Sequence, residues 1–301
     1  MKLPYVTVDV FTTQRFGGNP LAVVPDARDL NANQMQSVAA EFNYSETTFV
    51  LPPENPDDTA RVRIFTPRAE LPFAGHPNVG TAFVLTQQAE VFGCPVGDRL
   101  RFEEVAGLVE VELMSGPDRV IGASFRSPEA FRIEDQISPE DIADSCSLNP
   151  ADLEIARHAP CVATAGLPFA FAEVNSREKL AEAAPRLDVF TKLLPAERAA
   201  GLCLYVHAAG SAVDVQARVF APLHGVPEDP ATGSANVALA GLLASIAPGE
   251  DLTFEHTVAQ GLDMGRPSLL FASADKVGGT VTATYVGGRC VPVMEGILRL
   301  D

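Results

Sequence analysis

The chain has 301 residues, of which 47% are hydrophobic and 20% charged, a composition typical of a globular protein of about two domains and not of a disordered or fibrous one. Its 39 acidic and 22 basic side chains give a formal net charge of -17, so a polyanion would be repelled. We therefore expect no nucleic acid and no anionic membrane surface as a partner.

The cysteines and histidines give no sign of a metal site. The five cysteines are widely spaced with no C-x-x-C pair, and the five histidines show no H-E-x-x-H spacing. The first residues resemble a strand rather than a secretion signal, and the longest apolar stretch, residues 235–247, is too short to cross a bilayer. We expect a cytoplasmic protein without metal, cofactor or membrane contact.

The first half predicts mostly strands. A surface helix is expected over residues 31–42, where Asn31 or Asn33 would cap apolar positions at helical spacing. An apolar helix is expected over residues 79–85. Strand patterns cover residues 6–11, 21–24, 47–51, 59–65, 107–114 and 119–125.

The second half predicts a similar mixture. Helices are expected over residues 139–146, over 176–191 with an interruption at Pro185, and over the apolar stretch 237–246. Strand patterns cover residues 162–163, 169–174, 202–208, 213–220, 269–273 and 280–286.

Two segments half the chain apart repeat each other. Residues 63–67 (RIFTP) and 75–79 (GHPNV) correspond to residues 218–222 (RVFAP) and 233–237 (GSANV). A strand, a proline-containing loop and a helix that begins at glycine thus occur once in each half, which indicates a duplicated domain. We place the boundary near Gly116-Pro117, giving domains 1–116 and 117–301.

The helices that follow these glycines are apolar on every side, which predicts that protein surrounds them. In a duplicated β-rich chain, a sheet folded around each helix provides that environment. The fold class is therefore α+β, with a curled mixed sheet around a central helix in each domain. A helix N-terminus offers unpaired N–H groups and roughly half a positive charge, so two such starts predict a site for a small carboxylate.

Five ordered motifs resemble the PhzF family of phenazine-biosynthesis-like isomerases, and the resemblance covers essentially the whole chain. The motifs are FGGNP (16–20), SETTF (45–49), ELPFAGHP (70–77), EDPATGSA (228–235) and QGLDMGRPS (260–268). The resemblance implies the diaminopimelate-epimerase-like fold with two pseudo-symmetric domains, an active site in the cleft between them, and no cofactor. It suggests a homodimer, and it allows the last strand, about residues 290–301, to return to the first domain.

Glu46 is the candidate catalytic acid/base. It stands in a polar patch that runs into the apolar strand 49–51, where partial burial would raise the pKa of its carboxyl toward a value useful for proton transfer. A solvated carboxylate at a strand start is the alternative that the residues alone leave open. The resemblance places the family's general acid/base at Glu46.

His76 and Asp229 are the other candidate catalytic residues. His76 would stand at the start of the first apolar helix, where the dipole favours a neutral ring, although a purely structural histidine there is also possible. Asp229 precedes Pro230, which restricts it to extended backbone, as in an ordinary Asp-Pro turn. The resemblance implies that both assist proton movement and substrate orientation.

Four residues are candidates for substrate binding. Gly75 and Gly233 would let the backbone approach a ligand, and Ser234 would add a hydroxyl group. Asn19, in the Gly-Asn-Pro turn, is the fourth. Tight turns alone would also explain the glycines and Asn19. We expect Arg63 and Arg218 to be structural.

The positions before the helix glycines are Ala74 and Thr232. Diaminopimelate epimerases and proline racemases have a cysteine at each of these places, because inversion of a stereocentre needs an acid and a base on opposite faces. Proton transfer by two thiols is therefore disfavoured, and a proton shift by one carboxylate is favoured.

We accordingly expect a cofactor-independent isomerase that moves a proton between carbons of a small carboxylate-bearing substrate through Glu46. Two alternatives remain open. One is an epimerase or racemase of a small amino or hydroxy acid, and the other is a non-catalytic protein that binds a small acid.

Overall fold

The computed structural model describes residues 1–208, 210 and 212–300. The chain divides into two compact units. The first unit comprises Met1–Pro128 and the segment from Gly287 onward, and the second comprises Glu129–Val286.

The first unit begins with ten strands and two helices in the fully described segment 1–128. They are β1 (Lys2–Val10), β2 (Asn19–Val24), α1 (Ala32–Phe42), β3 (Glu46–Leu51), β4 (Ala60–Phe65), β5 (Glu70–Leu71), α2 (Gly75–Leu85), β6 (Glu90–Val91), β7 (Cys94–Pro95), β8 (Arg99–Glu104), β9 (Gly107–Ser115) and β10 (Val120–Arg126).

The remaining elements follow from Glu129 onward, and the last strand runs from the second unit into the first. They are β11 (Arg132–Gln136), α3 (Pro139–Ser145), β12 (Leu153–Glu154), β13 (Cys161–Thr164), β14 (Pro168–Val174), α4 (Arg177–Glu182), α5 (Leu187–Leu193), β15 (Leu202–His207), β16 (Val215–Ala221), β17 (Val226–Asp229), α6 (Gly233–Ile246), β18 (Leu252–Gln260), β19 (Ser268–Val277) and β20 (Thr280–Arg299). Short 3-10 turns occupy Pro150–Asp152 and Pro222–His224.

In the first unit the sheet closes on itself. The order β1-β2-β3-β4-β8-β9-β10-β20 returns to β1, because β20 pairs with both β10 and β1. Two of these pairings are parallel, β2 with β3 and β4 with β8, and the sheet is therefore mixed. Helix α2 contacts β1, β2, β3, β9 and β10, and all eleven of its residues are buried. The expected central helix surrounded by a curled sheet is present in this unit.

The second unit arranges its strands in the order β11-β13-β14-β15-β16-β18-β19, with parallel pairings of β14 with β15 and of β16 with β18. Helix α6 contacts β13, β14, β18 and β19, and its residues are buried from Gly233 to Ala244. The helices α3, α4 and α5 contribute to a separate apolar cluster with residues of β14 and β15. The α+β class predicted from the sequence is confirmed.

The structure places the boundary between Pro128 and Glu129, not near Gly116-Pro117 as predicted. Gly116 donates its N–H to the Arg119 carbonyl at 2.7 Å, and the strands on either side pair antiparallel as β9 and β10. The Gly-Pro dipeptide thus belongs to a hairpin turn inside the first unit. Glycine and proline are common in turns as well as in linkers, which explains the difference from the predicted boundary. Residues 120–126 consequently belong to the first sheet.

Both repeats contain the same partly buried ion pair. Arg63 donates from Nε and Nη2 to the two carboxylate oxygens of Glu70, each at 2.7 Å, and its guanidinium lies over the Phe65 ring. Arg218 makes the same two bonds to Glu228, each at 2.8 Å. Such bidentate pairs fix the strand geometry before each central helix, in agreement with the structural role expected for both arginines.

Replacement of Gly122 by alanine tests the close approach of β10 to the last strand. A Cβ at Gly122 would lie 2.1 Å from the Gly288 carbonyl oxygen, so the two backbones would have to separate. We expect Gly122→Ala to lower the free energy of unfolding by about 1–3 kcal/mol. The control is Gly97→Ala, whose Cβ would have no neighbour nearer than 3.9 Å. Equal unfolding midpoints for the two variants in a denaturant titration would contradict this packing.

Candidate active site

Glu46 and His76 meet in the first unit. Glu46 is the first residue of β3, and His76 is the second residue of α2. Their side chains are 16% and 5% exposed, and the Glu46 Oε2 atom lies 3.4 Å from the His76 Nε2 atom. Two of the predicted catalytic residues are therefore neighbours, although they are far apart in sequence.

The His76 ring is neutral. Burial lowers the pKa of His76 from 6.5 to about 3, and a hydrogen bond to the Pro20 backbone opposes this shift only in part. Nε2 makes no hydrogen bond within the described residues, so the bond to Pro20 uses Nδ1. The contact with Glu46 is thus not an ion pair, and the Nε2 lone pair faces the carboxyl group.

Asn19 lies beside this pair. It is fully buried at the start of β2, and its Oδ1 atom accepts a hydrogen bond from the Ser45 hydroxyl at 3.0 Å. Gly18 has a φ of +61°, and a Cβ there would lie 2.3 Å from the Val10 carbonyl oxygen. The glycine therefore permits the tight turn that brings Asn19 next to the residue before Glu46.

The start of α2 has backbone donors without an intrahelical partner. The helix begins at Gly75 with Ala74 as N-cap, and no side chain caps it. Because the first N–H groups of a helix lack intrahelical partners and Pro77 has no N–H, the donors that this turn offers are those of Gly75 and His76. These donors lie on the same turn as the imidazole that contacts Glu46.

In the second unit, Asp229, Gly233 and Ser234 occur in one short segment. Asp229 ends β17, and its Oδ2 atom accepts a hydrogen bond from the Thr232 hydroxyl at 2.6 Å. Helix α6 begins at Gly233, again without a side-chain cap, and Ser234 is buried in its first turn. Both helix starts thus begin at a glycine without a side-chain cap. The second differs in having a carboxylate, Asp229, three residues before its N-cap.

Gln260 holds this segment in place, a role that the sequence patterns do not predict. Its Nε2 group donates to the Asp229 carbonyl at 2.8 Å and to the Thr232 hydroxyl at 3.0 Å, and its Oε1 atom accepts from Asn236 at 2.9 Å. Gln260 begins one of the five sequence motifs. Its place in that motif was the signal that could have identified it. Polar residues are common at the ends of strands, so the signal is weak.

Other regions offer less chemistry. A cavity of about 940 Å³ in the first unit is lined by arginines and carboxylates, but by neither Glu46 nor His76. Its arginines are paired, for example Arg63 with Glu70 and Arg101 with Asp58.

Among the described residues no group of three or more His, Cys, Asp or Glu side chains could hold a metal ion. Within the same part of the chain no helix combines the length and the apolar character needed to cross a membrane.

A family model described as phenazine biosynthesis-like protein (PhzC-PhzF) matches residues 8–296. The chain belongs to the PhzF family. The resemblance carried by the five motifs is confirmed.

Similar proteins support both the family and the class of reaction. An uncharacterised isomerase of Mesorhizobium japonicum is 37% identical, and the match covers 98% of each chain. The trans-2,3-dihydro-3-hydroxyanthranilate isomerase of Pseudomonas aeruginosa is 35% identical over 97% of this chain and 98% of its own. The crystal structure of a Bacillus anthracis PhzF-family protein superposes over the full length of both chains with a TM-score of 0.88 at 23% identity. This PhzF-family chain is an isomerase.

The protonation state of His76 can be measured directly. The unfolded chain would bind a proton at the ordinary pKa of 6.5 and the folded chain only near 3, so the stability due to the neutral ring is present above pH 6.5 and is lost as the pH falls toward 3. We expect the His76 ring resonances in NMR spectra to stay constant between about pH 5 and about pH 8. The spectrum of His76→Gln would assign them. A titration midpoint near 6.5 would contradict burial of a neutral ring.

Proposed function

We propose that this isomerase moves a proton between two carbons of a small carboxylate-bearing substrate, with Glu46 as the general acid/base. The observation that carries the proposal is the contact between Glu46 and the neutral imidazole of His76 at an uncapped helix start. A carboxylate and an imidazole within hydrogen-bonding reach are suited to proton transfer, and helix N–H groups are suited to an anion.

In the proposed reaction the Glu46 carboxylate removes a proton from one carbon of the substrate. The electron pair of the broken C–H bond moves into the substrate and shifts its double bond, and Glu46 returns the proton to a different carbon. Substrate and product have the same atoms and charge, so the reaction consumes no oxidant or reductant. Because the Nε2 lone pair of His76 faces the carboxyl group, His76 would accept a hydrogen bond from the protonated form of Glu46.

The substrate's own carboxylate would bind the N–H groups of the two helix starts, at Gly75 and at Gly233, with the hydroxyl of Ser234 as a further donor. Both starts lack a side-chain cap, which supports this assignment. Asn19 would contact the substrate near Glu46. Asp229, fixed by Thr232, would orient the substrate in the second unit. The cleft between the domains, implied by the family resemblance, would be the active site.

The name of the Pseudomonas aeruginosa relative suggests a substrate to test. It is an isomerase of trans-2,3-dihydro-3-hydroxyanthranilate, a small carboxylate of the expected type. We propose that this chain acts on an acid of this class. Membership in an isomerase family favours catalysis over simple binding of an acid.

An epimerase or racemase is the weaker candidate. The two N-cap positions hold Ala74 and Thr232, so neither helix start presents a thiol. Cys290 lies against α2, but its Sγ atom is 4.0 Å from the Val79 carbonyl oxygen, within the helix rather than at its start. Burial raises the pKa of the Cys290 thiol, which disfavours the reactive thiolate.

Replacement of Glu46 by glutamine tests the proposed acid/base. We expect Glu46→Gln to lower kcat by about 10²–10⁴-fold, because the amide cannot accept the carbon-bound proton. The reaction is followed in deuterium oxide with trans-2,3-dihydro-3-hydroxyanthranilate, and NMR records both isomerisation and deuterium uptake. The control is Glu41→Gln, which removes an exposed carboxylate from α1. Wild-type rates and deuterium uptake in Glu46→Gln would refute the assignment.

A further inference from the structure

Both central helices carry an asparagine in the same place. The Asn78 Nδ2 group donates to the carbonyl of Ala74, the N-cap of α2, at 3.0 Å. The Asn236 Nδ2 group donates to the carbonyl of Thr232, the N-cap of α6, at 2.9 Å. Each asparagine thus fixes the backbone at the start of its helix.

In the second unit a glutamine partners that asparagine. Gln260 is fully buried, and its amide uses both of its functions: the oxygen accepts from Asn236 and from the Thr232 N–H, and the nitrogen donates to Asp229 and Thr232. This position therefore needs a side chain that donates and accepts at the same time.

Strand register identifies the corresponding residue of the first unit. Each unit pairs two parallel strands in the same way, β4 with β8 through Ala60 and Phe102, and β16 with β18 through Val215 and Val258. Ala60 and Val215 each lie three residues before the arginine of the repeat. Two residues further along the second strand of each pair are Glu104 and Gln260. Glu104 thus occupies the position of Gln260.

The surroundings of Glu104 match this correspondence. Glu104 is two residues after Phe102 and four after Leu100. Because both of these are buried and every second residue of a strand shares a face, Glu104 lies on the inner face of the sheet. Its two carboxyl oxygens are buried and form no hydrogen bond within the described residues, and the same holds for the Asn78 Oδ1 atom. Burial raises the pKa of Glu104 well above its ordinary value, and the neighbouring Asn78 opposes this only in part.

Charged groups on the surrounding elements do not offset this burial. They are His76 on α2, Arg61 and Arg63 on β4, Glu70 on β5, Arg99, Arg101 and Glu103 on β8, and Glu110 and Glu112 on β9. His76 is neutral, and the β4, β8 and β9 residues occupy the alternate strand positions, on the face opposite to the apolar one. Arg63 is paired with Glu70, and Arg101 with Asp58.

We propose that Glu104 is a positioning residue held as the neutral acid, which donates its proton to Asn78 Oδ1. It would thus hold the helix asparagine of the first unit, as Gln260 holds that of the second unit by accepting from Asn236 Nδ2. A carboxylate can only accept hydrogen bonds, whereas a carboxylic acid resembles the glutamine amide in having one donating and one accepting side. The single bond from Glu104 to Asn78 gives a partner to two of the three buried oxygen atoms that lack one.

The chain of contacts leads to the proposed catalytic residues. Glu104 holds Asn78, Asn78 holds the Ala74 carbonyl, and Ala74 precedes Gly75 and His76 at the start of α2. Ionisation of Glu104 would break the first of these bonds and leave a buried charge behind the helix start. The consequence for activity rests on the proposed function, whereas the protonation state of Glu104 does not.

The first test is independent of activity and uses thermal unfolding as a function of pH. Because the pKa of Glu104 is raised on folding, its contribution to stability is complete below the unfolded value of 4.5 and is lost as the pH rises toward the folded value. The glutamine of Glu104→Gln cannot ionise. The difference in unfolding midpoint, variant minus wild type, should therefore increase by at least about 2 °C from about pH 5 to about pH 8.

The control is Glu110→Gln, which removes an exposed carboxylate from the neighbouring strand and should follow the wild type at every pH. Parallel curves for Glu104→Gln and wild type would overturn the proposal. So would destabilisation of Glu104→Gln as large as that of Glu104→Leu, since the amide should substitute for the neutral acid.

The second test uses the isomerisation rate. We expect Glu104→Gln to keep kcat/KM within about threefold of wild type at neutral pH and to lose less activity at alkaline pH, whereas Glu104→Leu should lose at least about tenfold in kcat. Identical alkaline limbs for wild type and Glu104→Gln would contradict a positioning role. If the wild type does not convert trans-2,3-dihydro-3-hydroxyanthranilate at all, the proposed substrate fails while the unfolding curves still decide the state of Glu104.

Discussion

The structure depends on how a fully buried helix satisfies its first N–H groups. All eleven residues of α2 are buried, and its N-cap, Ala74, has no side chain that could accept a hydrogen bond. A buried donor without a partner costs about 1–3 kcal/mol, so a closed sheet around such a helix leaves a strong requirement for an acceptor at its start. A carboxylate ligand would meet that requirement. In the proposed function Glu46, 3.4 Å from His76, would lie beside the reacting carbons of that ligand.

The duplication shows which parts of this arrangement are structural and which differ between the units. Both units keep the bidentate arginine pair, the glycine at the first helical position and the asparagine that bonds the N-cap carbonyl. They differ in the residues beside the helix start. The first unit has Glu46 against His76, and the second has Asp229 against the Thr232 hydroxyl. Different polar groups on a common scaffold are consistent with the proposed reaction, in which one carboxylate moves the proton.

Sequence patterns predicted the elements whose signals are local. Asn31 caps α1 with Gln34 in a capping box, and Pro185 separates α4 from α5, as expected. The glycine-led apolar helices were found because they are apolar on every side. By contrast, all five residues of β11 are exposed, and strands without an apolar face carry no periodic signal.

The candidate site could be predicted only in part, because contacts between residues far apart in sequence leave no local signal. Motifs identify Glu46 and His76 separately, but their contact depends on the pairing of β2 with β3 and on the path of α2. The roles of Glu104 and Gln260 depend on strand register across the two repeats, which the sequence does not contain. Pairing also explains the displaced domain boundary, since Gly116-Pro117 has the composition of a linker and the hydrogen bonds of a hairpin.

In the proposed function one substrate contacts the first helix start and Glu46 at the same time. A crystal structure of the Glu46→Gln variant soaked with trans-2,3-dihydro-3-hydroxyanthranilate tests it most directly. In that structure the substrate carboxylate should accept hydrogen bonds from the N–H groups of Gly75 and Gly233, with a substrate carbon in van der Waals contact with residue 46. A substrate bound elsewhere, or one with its carboxylate on a side chain remote from both helix starts, would contradict it.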